Sequence, residues 1–425
     1  MKETIVASMR QKPVAILGAG LSGRAAGDLI EAQGGTVVYF DKVAARGRDD
    51  FGRAVAGEFS MVIRSPGLGY RHPWVKAASE AGLPILGELD LAALFWEGKV
   101  YGITGTNGKT TTARLLAEVL RAEGIDSGAF GNIGEPFAAE VLRGAGRGAV
   151  AVLEISSFQA EDLKYLALDA LIWTNFAEDH LDYHGGLDAY FRAKEQLVRL
   201  VHSDGPLLIG ESVAAVLEAR GRVFERSAEV VRADEELVPE GSPLAQSPYR
   251  ENFGLVARLI RRLGMGTERM EQVALGFRLS SCRMEEVATV GGVRCINDSK
   301  ATNPHAVLGA VAGIGGPVVW LGGGAGKGEN KVEFMKALGP RLKLAVTFGA
   351  EGPELARILG ELGTEAFFCR DLREASKLAW SRAEPGDTLL LSPGFSSFDA
   401  FQNYAERGDA FVRAVLELKA EPALS

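Results

Sequence analysis

Only three cysteines, Cys282, Cys295 and Cys369, occur in 425 residues, and no two of them share the close spacing of a metal knuckle or a redox motif. An odd number of widely separated thiols argues against a disulfide framework and against a cysteine zinc site. Long apolar runs are also missing. No stretch approaches the roughly 18 residues of a membrane-spanning helix, and the opening MKETIVASMRQK has no apolar signal-peptide core. Positive charge is not in excess: 47 Lys and Arg stand against 55 Asp and Glu, a formal net charge of −8. Nucleic acid or an anionic lipid surface would be repelled on average, so neither is an expected partner. What is present, 47% hydrophobic and 24% charged residues, suffices for several buried cores. At about 150 residues per domain the length predicts roughly three domains, and the expected location is the cytoplasm.

The most informative segment is GITGTNGKTTTARLLAEVL at 102–120. KVYGIT ahead of it reads as a short strand, and Leu115, Leu116, Val119 and Leu120 recur at helix spacing behind it until Gly124 offers a stop. Strand, glycine turn and helix in that order aim successive N–H groups and the positive end of a helix at a polyanion. Lys109 would reach the terminal phosphates, and the Thr110 hydroxyl would face Mg²⁺. The spacing departs from the usual phosphate loop, because Ile103 stands five positions before Gly108 and the upstream Gly102 is one residue too far.

Strands alternate with helical segments almost throughout, the pattern of parallel sheets with helices on both faces. PVAILGAG and TVVYFDK read as strands flanking a helix over LSGRAAGDLIEAQGG. Gly18, Gly20 and Gly23 spell GxGxxG, with Asp41 placed to meet a ribose hydroxyl. By itself this suits a nicotinamide dehydrogenase, or any other nucleotide diphosphate. SPGLG at 65–69 is a second glycine turn, after the strand-like MVIRS. Boundaries are expected near Leu91–Gly98, where LDLAALFWEG completes a helical segment, and near Gly276–Ser281, before a strand series opening with MEEVATV.

In the middle third, AVAVLEIS at 149–156 has the pattern of a buried strand with one carboxylate, Glu154, near its end. A buried carboxylate needs a cation, so Glu154 is a candidate Mg²⁺ ligand. The loop FAEDHLDYHG carries Asp179, His180, Asp182 and His184. No HExxH pattern supports zinc; His180 fits better as a further group around a divalent ion or as a substrate contact. The residues alone give Lys194, on the helix LDAYFRAKEQLVRL, only the reading of a solvated surface lysine.

Taken together, GITGTNGKTT, GNIG at 131–134, LEISSFQ at 153–159, NFAEDHLDYHG at 175–185 and NDSKATNPHA at 297–306 resemble the Mur ligase family, the ATP-dependent amide-bond-forming enzymes of peptidoglycan precursor assembly. LGAGLSGRAA and LLSPGFSSFDAFQNYAERGDAF resemble its D-glutamate-adding branch. The resemblance implies an α/β chain of three domains: a Rossmann-like UDP-substrate domain over 1–93, a phosphate-loop ATPase-type domain with a mainly parallel sheet over 94–280, and a Rossmann-like amino-acid domain over 281–425. It implies ATP and Mg²⁺, with one or two ions, as cofactors, UDP-N-acetylmuramoyl-L-alanine and D-glutamate as substrates, and a monomer.

Carried over by position, the resemblance gives ATP to Gly105, Thr106, Asn107, Gly108, Lys109, Thr110 and Thr111, with Asn252, Arg283 and Asp298 around the nucleotide. Thr110, Glu154, His180 and Lys194 would organise metal, Lys194 as a carbamylated lysine, and Lys109, Glu154, His180 and Lys194 would form the catalytic set. Ser22, Asp41, Lys42, Ser65, Asn132, Ser156 and Gln159 would hold the UDP-linked acceptor. Lys300, Thr302, Lys327, Ser397, Phe398 and Tyr404 would hold D-glutamate. The chain departs from the family pattern at Cys282, Tyr249, Arg250 and Ala325. Because an acyl phosphate hydrolyses readily, the third domain is expected to close before chemistry. A sibling Mur ligase adding another amino acid or a folylpolyglutamate synthase-like ligase would share the ATP site, whereas a dehydrogenase would leave GITGTNGKTT unused. A regulator that binds a nucleotide without turnover would make Glu154, His180 and Lys194 accidental.

Overall fold

Three sheets, each built from the short apolar segments seen in the sequence, organise the computed structural model, which describes residues 2–42, 48–144 and 147–420. The first sheet contains β1 (Val14–Leu17), β2 (Val37–Phe40), β3 (Met61–Arg64) and β4 (Ile85–Leu86), all parallel, in the order β2-β1-β3-β4. Every residue of β1 and β3 is buried, so these are interior strands with helices packed over them. The second sheet contains β5 (Lys99–Thr104), β6 (Ser127–Gly131), β7 (Val150–Glu154), β8 (Ala170–Trp173), β9 (Leu207–Gly210) and β10 (Glu229–Val231). It too is wholly parallel, in the order β10-β9-β8-β5-β7-β6.

The third sheet holds β11 (Glu285–Val290), β12 (Val293–Asn297), β13 (Val318–Gly323), β14 (Leu344–Phe348), β15 (Ala366–Phe368) and β16 (Thr388–Gly394), in the order β11-β12-β16-β13-β14-β15. Here the expectation of parallel strands fails at one edge, because β11 pairs antiparallel with β12. The cause is local. Gly291 and Gly292 both have positive φ, +54° and +81°, the backbone of a two-residue hairpin turn that only glycine adopts at little cost. Two apolar clusters, one centred on Trp320, Phe334 and Leu355 and the other on Val346, Leu389 and Phe411, supply its core.

Contacts group residues 1–176, 188–237 and 253–273 into one compact unit, with the first two sheets, and residues 177–187, 238–252 and 274–425 into another, with the third sheet. The helix Lys109–Ala122 runs as its apolar spacing predicts: Leu115, Leu116, Val119 and Leu120 are fully buried, each stabilising by about 1.5–3 kcal/mol. The helix expected over LDLAALFWEG is confined to Glu88–Ala93. Beyond it, Gly98 lies so close to the carbonyl of Ala149 that a Cβ would come within 2.2 Å of the oxygen, and the backbone turns into β5. Among the described residues no helix is long and apolar enough to cross a membrane.

Candidate functional site

The carboxyl end of β5 opens into the glycine turn. Gly105 has φ +149°, and a Cβ there would lie 1.9 Å from Thr174 Oγ1. Gly108, at φ +81°, begins the helix Lys109–Ala122. Both positions have the left-handed backbone that favours glycine, and at Gly105 there is also no room for a side chain. The turn is braced from β8 and the residues after it: Asn107 donates its N–H to Asn175 Oδ1 at 2.8 Å, and Thr174 Oγ1 donates to the Asn107 carbonyl at 2.6 Å. Thr106 Oγ1 lies 3.1 Å from the Tyr190 hydroxyl. Lys109 curls back so that Nζ donates to the carbonyls of Gly105 and Thr106 at 3.0 and 2.8 Å. Thr111 is buried on the same helix.

Two predicted residues meet on Glu154, which is 2% exposed at the end of β7. Thr110 donates its hydroxyl to Oε2 at 2.8 Å, and Asn132 donates Nδ2 to Oε1 at 3.0 Å. Both Glu154 oxygens thus face polar hydrogens, as a buried carboxylate requires. Lys194 overturns the solvated-face reading: it is 1% exposed, donates to the Gly105 carbonyl at 2.7 Å and lies 4.8 Å above the Tyr190 ring. A helix position whose amine turns inward looks no different in sequence from one that turns outward.

At the carboxyl ends of the first sheet the GxGxxG turn, Asp41 and Ser65 converge. Asp41 Oδ2 accepts the Ala19 N–H at 2.7 Å, and a Cβ on Gly18 would lie 2.6 Å from the Ser65 Cβ. Ser22 lies in the first turn of the helix Leu21–Ala32, and Lys42 is exposed, 6.0 Å from the Trp74 ring. Ser156 and Gln159 cap the short helix Ser157–Ala160 reciprocally: Gln159 N–H donates to Ser156 Oγ at 3.2 Å, and Ser156 N–H to Gln159 Oε1 at 3.0 Å. Sequence reasoning missed the neighbouring Arg64. Fully buried, it donates Nε to Asp162 at 2.8 Å and further N–H groups to the Leu68 and Phe158 carbonyls, tying the SPGLG turn to the second sheet. Tyr70 donates to the same carboxylate at 2.7 Å; burial beside that charge pushes its phenol up.

In the unit of the third sheet, His180 has φ +53° and precedes a single helical turn, Leu181–His184, ended by Gly185 and Gly186 with positive φ. Lys327 Nζ donates to Asp179 Oδ1 and to the Thr302 carbonyl, both at 3.2 Å. Lys300 lies 5.2 Å over the Tyr404 ring. Ser397 is buried, and its carbonyl accepts the Phe401 N–H at 2.9 Å; the Phe398 side chain stands in solvent, 77% exposed. Arg407, which lies in the run LLSPGFSSFDAFQNYAERGDAF without a role assigned to it from sequence, stands early in the helix Tyr404–Ala420 and joins these segments. Its fully buried guanidinium donates to Ser299 Oγ, the Ser299 carbonyl and the Phe395 carbonyl at 2.9–3.0 Å, and burial lowers it to about 10.

Burial pushes the Asp298 carboxyl up to about 7, against the opposing pull of the Ser392 hydroxyl at 2.8 Å and the Arg283 charge. Asn252 is buried near the start of the helix Tyr249–Arg262. Tyr249, one of the departures, is buried close enough to feel the charges of Asp298 and Arg283, and desolvation pushes its phenol up. Arg250 is exposed. Cys282 is buried at φ +59° with Asn297 Nδ2 3.5 Å from its sulfur, and burial pushes its thiol up. Ala325 forms a two-way backbone bridge with Ser396, 2.9 Å in each direction.

An α/β chain of this architecture, with a strand–glycine turn–helix unit backed by a buried carboxylate, is of the class of phosphate-loop ligases. Residues 103–236 match the Mur ligase middle domain and residues 282–395 match the Mur ligase glutamate ligase domain. The chain belongs to the Mur ligase family. It is 34% identical to the UDP-N-acetylmuramoylalanine–D-glutamate ligase of Geobacillus kaustophilus, over 96% of this chain and 98% of the relative. It is 32% identical to the enzyme of that name from Chlamydia abortus, over 97% and 99%. In fold it is similar to the UDP-N-acetylmuramate-alanine ligase of Thermotoga maritima, with TM-score 0.59, 18% identity and coverage of 96% and 100%. The Thermotoga maritima MurF ligase solved with ADP gives TM-score 0.55 at 17% identity, over 81% and 90%.

Proposed function

We propose that the protein ligates D-glutamate to UDP-N-acetylmuramoyl-L-alanine in peptidoglycan precursor synthesis, converting ATP to ADP and phosphate. The observation that carries this reading is full-length likeness to relatives bearing that name, joined to a glycine turn whose Thr110 hydroxyl is fixed on the buried Glu154. In this reading the substrate carboxylate attacks the γ-phosphorus, ADP leaves, and an acyl phosphate forms. The D-glutamate amine then attacks the acyl carbon; phosphate leaves and the nitrogen loses a proton.

The oxygen donors of Thr110 and Glu154, 2.8 Å apart, suit Mg²⁺, a hard cation commonly held by one or two carboxylates together with substrate phosphates. Thr110, Glu154, His180 and a carbamylated Lys194 would hold the cation, which when bound offsets charge on the transferring phosphoryl group. The carbamate forms by addition of CO₂ to the unprotonated Lys194 amine with loss of a proton. Gly105–Thr111 would cradle the phosphates, with Lys109 leaving its carbonyl partners for the γ-phosphate, and Asn252, Arg283 and Asp298 would serve the nucleotide. Ser22, Asp41, Lys42, Ser65, Asn132, Ser156 and Gln159 serve the UDP-linked acceptor, and Lys300, Thr302, Lys327, Ser397, Phe398 and Tyr404 serve D-glutamate. Residues 1–93, 94–280 and 281–425 act as the acceptor, ATP and amino-acid domains of a cytoplasmic monomer.

Phosphate release measured with UDP-N-acetylmuramoyl-L-alanine and a panel of amino acids tests the assignment. D-Glutamate alone should stimulate it. Stimulation by L-alanine or a diamino acid would favour a sibling ligase.

A further inference from the structure

Lysine is a flexible side chain with three donors on a single charge, so using one for selective recognition requires something to fix it. Lys327 sits in the glycine-rich run LGGGAGKGEN, where Gly324 and Gly328 both have positive φ, +131° and +93°. Its backbone is held by Glu329, which accepts the Lys327 N–H at 2.6 Å. Its ammonium is held by Asp179 and the Thr302 carbonyl, which leaves one donor for a substrate carboxylate.

Asp179 is itself over-determined. Oδ1 accepts from the His180 N–H at 3.0 Å and from Lys327, while Oδ2 accepts from Asn303 Nδ2 at 3.1 Å. The Asn303 amide cannot turn round, because its oxygen caps the helix Pro304–Ala312 by accepting the Ala306 N–H at 2.9 Å. Three donors therefore converge on two carboxylate oxygens that are 6% exposed as a residue. We infer that Asp179 is a positioning residue for D-glutamate recognition: its carboxylate aims the Lys327 ammonium, and Asn303 in turn aims the carboxylate. This rests on the reading of Lys327 as a D-glutamate contact.

An asparagine at 179 has the same shape but one oxygen, so its NH₂ must face a donor, either Asn303 or Lys327. In the full-length enzyme, Asp179→Asn should raise the KM for D-glutamate by about tenfold while the KM values for ATP and UDP-N-acetylmuramoyl-L-alanine stay within about twofold. Asp179→Glu, which keeps the charge, should recover most of that loss. Lys327→Ala should raise the same KM, and adding Asp179→Asn to it should raise it no further. An unchanged D-glutamate KM in Asp179→Asn, beside a raised one in Lys327→Ala, overturns the inference alone. A fall in kcat without any D-glutamate KM change also overturns it, since Asp179 would then act through the His180 turn. An unchanged D-glutamate KM in Lys327→Ala overturns the underlying reading of Lys327, and the inference with it.

Discussion

The amine of Lys194 lies 2.7 Å from the carbonyl oxygen of Gly105, so the long helix-borne side chain ends against the first residue of the glycine turn. That places it where a carboxylate built on its nitrogen would adjoin Thr104, whose hydroxyl is 3.5 Å away. Incubation with ¹³C-bicarbonate should give a carbamate carbonyl resonance that Lys194→Ala lacks. A spectrum identical in the two proteins would remove Lys194 from the proposed metal-organising set.

Thr110 donates its hydroxyl to Glu154 in a buried setting, and these two oxygens would be among the groups that hold the proposed Mg²⁺. Glu154→Gln keeps the shape and loses the charge, so kcat should fall by about 10²-fold or more, with the Mg²⁺ concentration for half-maximal rate shifted upward. Steady-state rates across a magnesium titration check this. A variant with the wild-type magnesium curve would exclude Glu154 as a ligand.

Arg64 and Asp162 form a fully buried ion pair, 2.7 Å apart at NH2–Oδ2. Removing one member leaves a charge without its partner, so Arg64→Met should lower unfolding stability by about 3–5 kcal/mol. Changing both, Arg64→Met with Asp162→Leu, should recover a large part of it. Denaturant unfolding of the two single variants and the double variant reads the coupling.

Burial pushes Glu88 up to about 7, against the pull of the N–H groups of Ala138 and Phe137, and its Oε2 has no hydrogen-bond partner. The folded-state value lies above the ordinary 4.5, so the folded protein binds this proton more tightly than the unfolded chain. Its contribution is complete below pH ~4.5 and is lost as pH rises through ~7, about 3 kcal/mol in all. Glu88→Gln should flatten that segment of the stability–pH curve and be the more stable protein at pH 8. Equal slopes for both proteins between pH 5 and 7 would count against it.

Sequence periodicity revealed β5, β7 and the helix Lys109–Ala122 because burial there follows the simplest patterns, an all-apolar strand or a 3.6-residue stripe. It also exposed Glu154, since a lone carboxylate in an apolar strand is costly without a partner. It could not show which way Lys194 points, because side-chain direction on a helix depends on what packs against it. Arg64, Asp179 and Arg407 were equally obscure. Their partners lie 98, 148 and 108 positions away at Asp162, Lys327 and Ser299, and no local spacing encodes such pairs. The antiparallel β11 is a different case: the Gly291–Gly292 dipeptide between two strand-like runs was a readable hairpin sign.

The bridge between Ala325 and Ser396 uses main-chain atoms only. With any residue but proline at position 325, the lysine-bearing loop and the serine-bearing turn remain clasped like two jaws on one rivet. The methyl group of Ala325 takes no part in that grip, so the spacing of the jaws is set by the backbone alone.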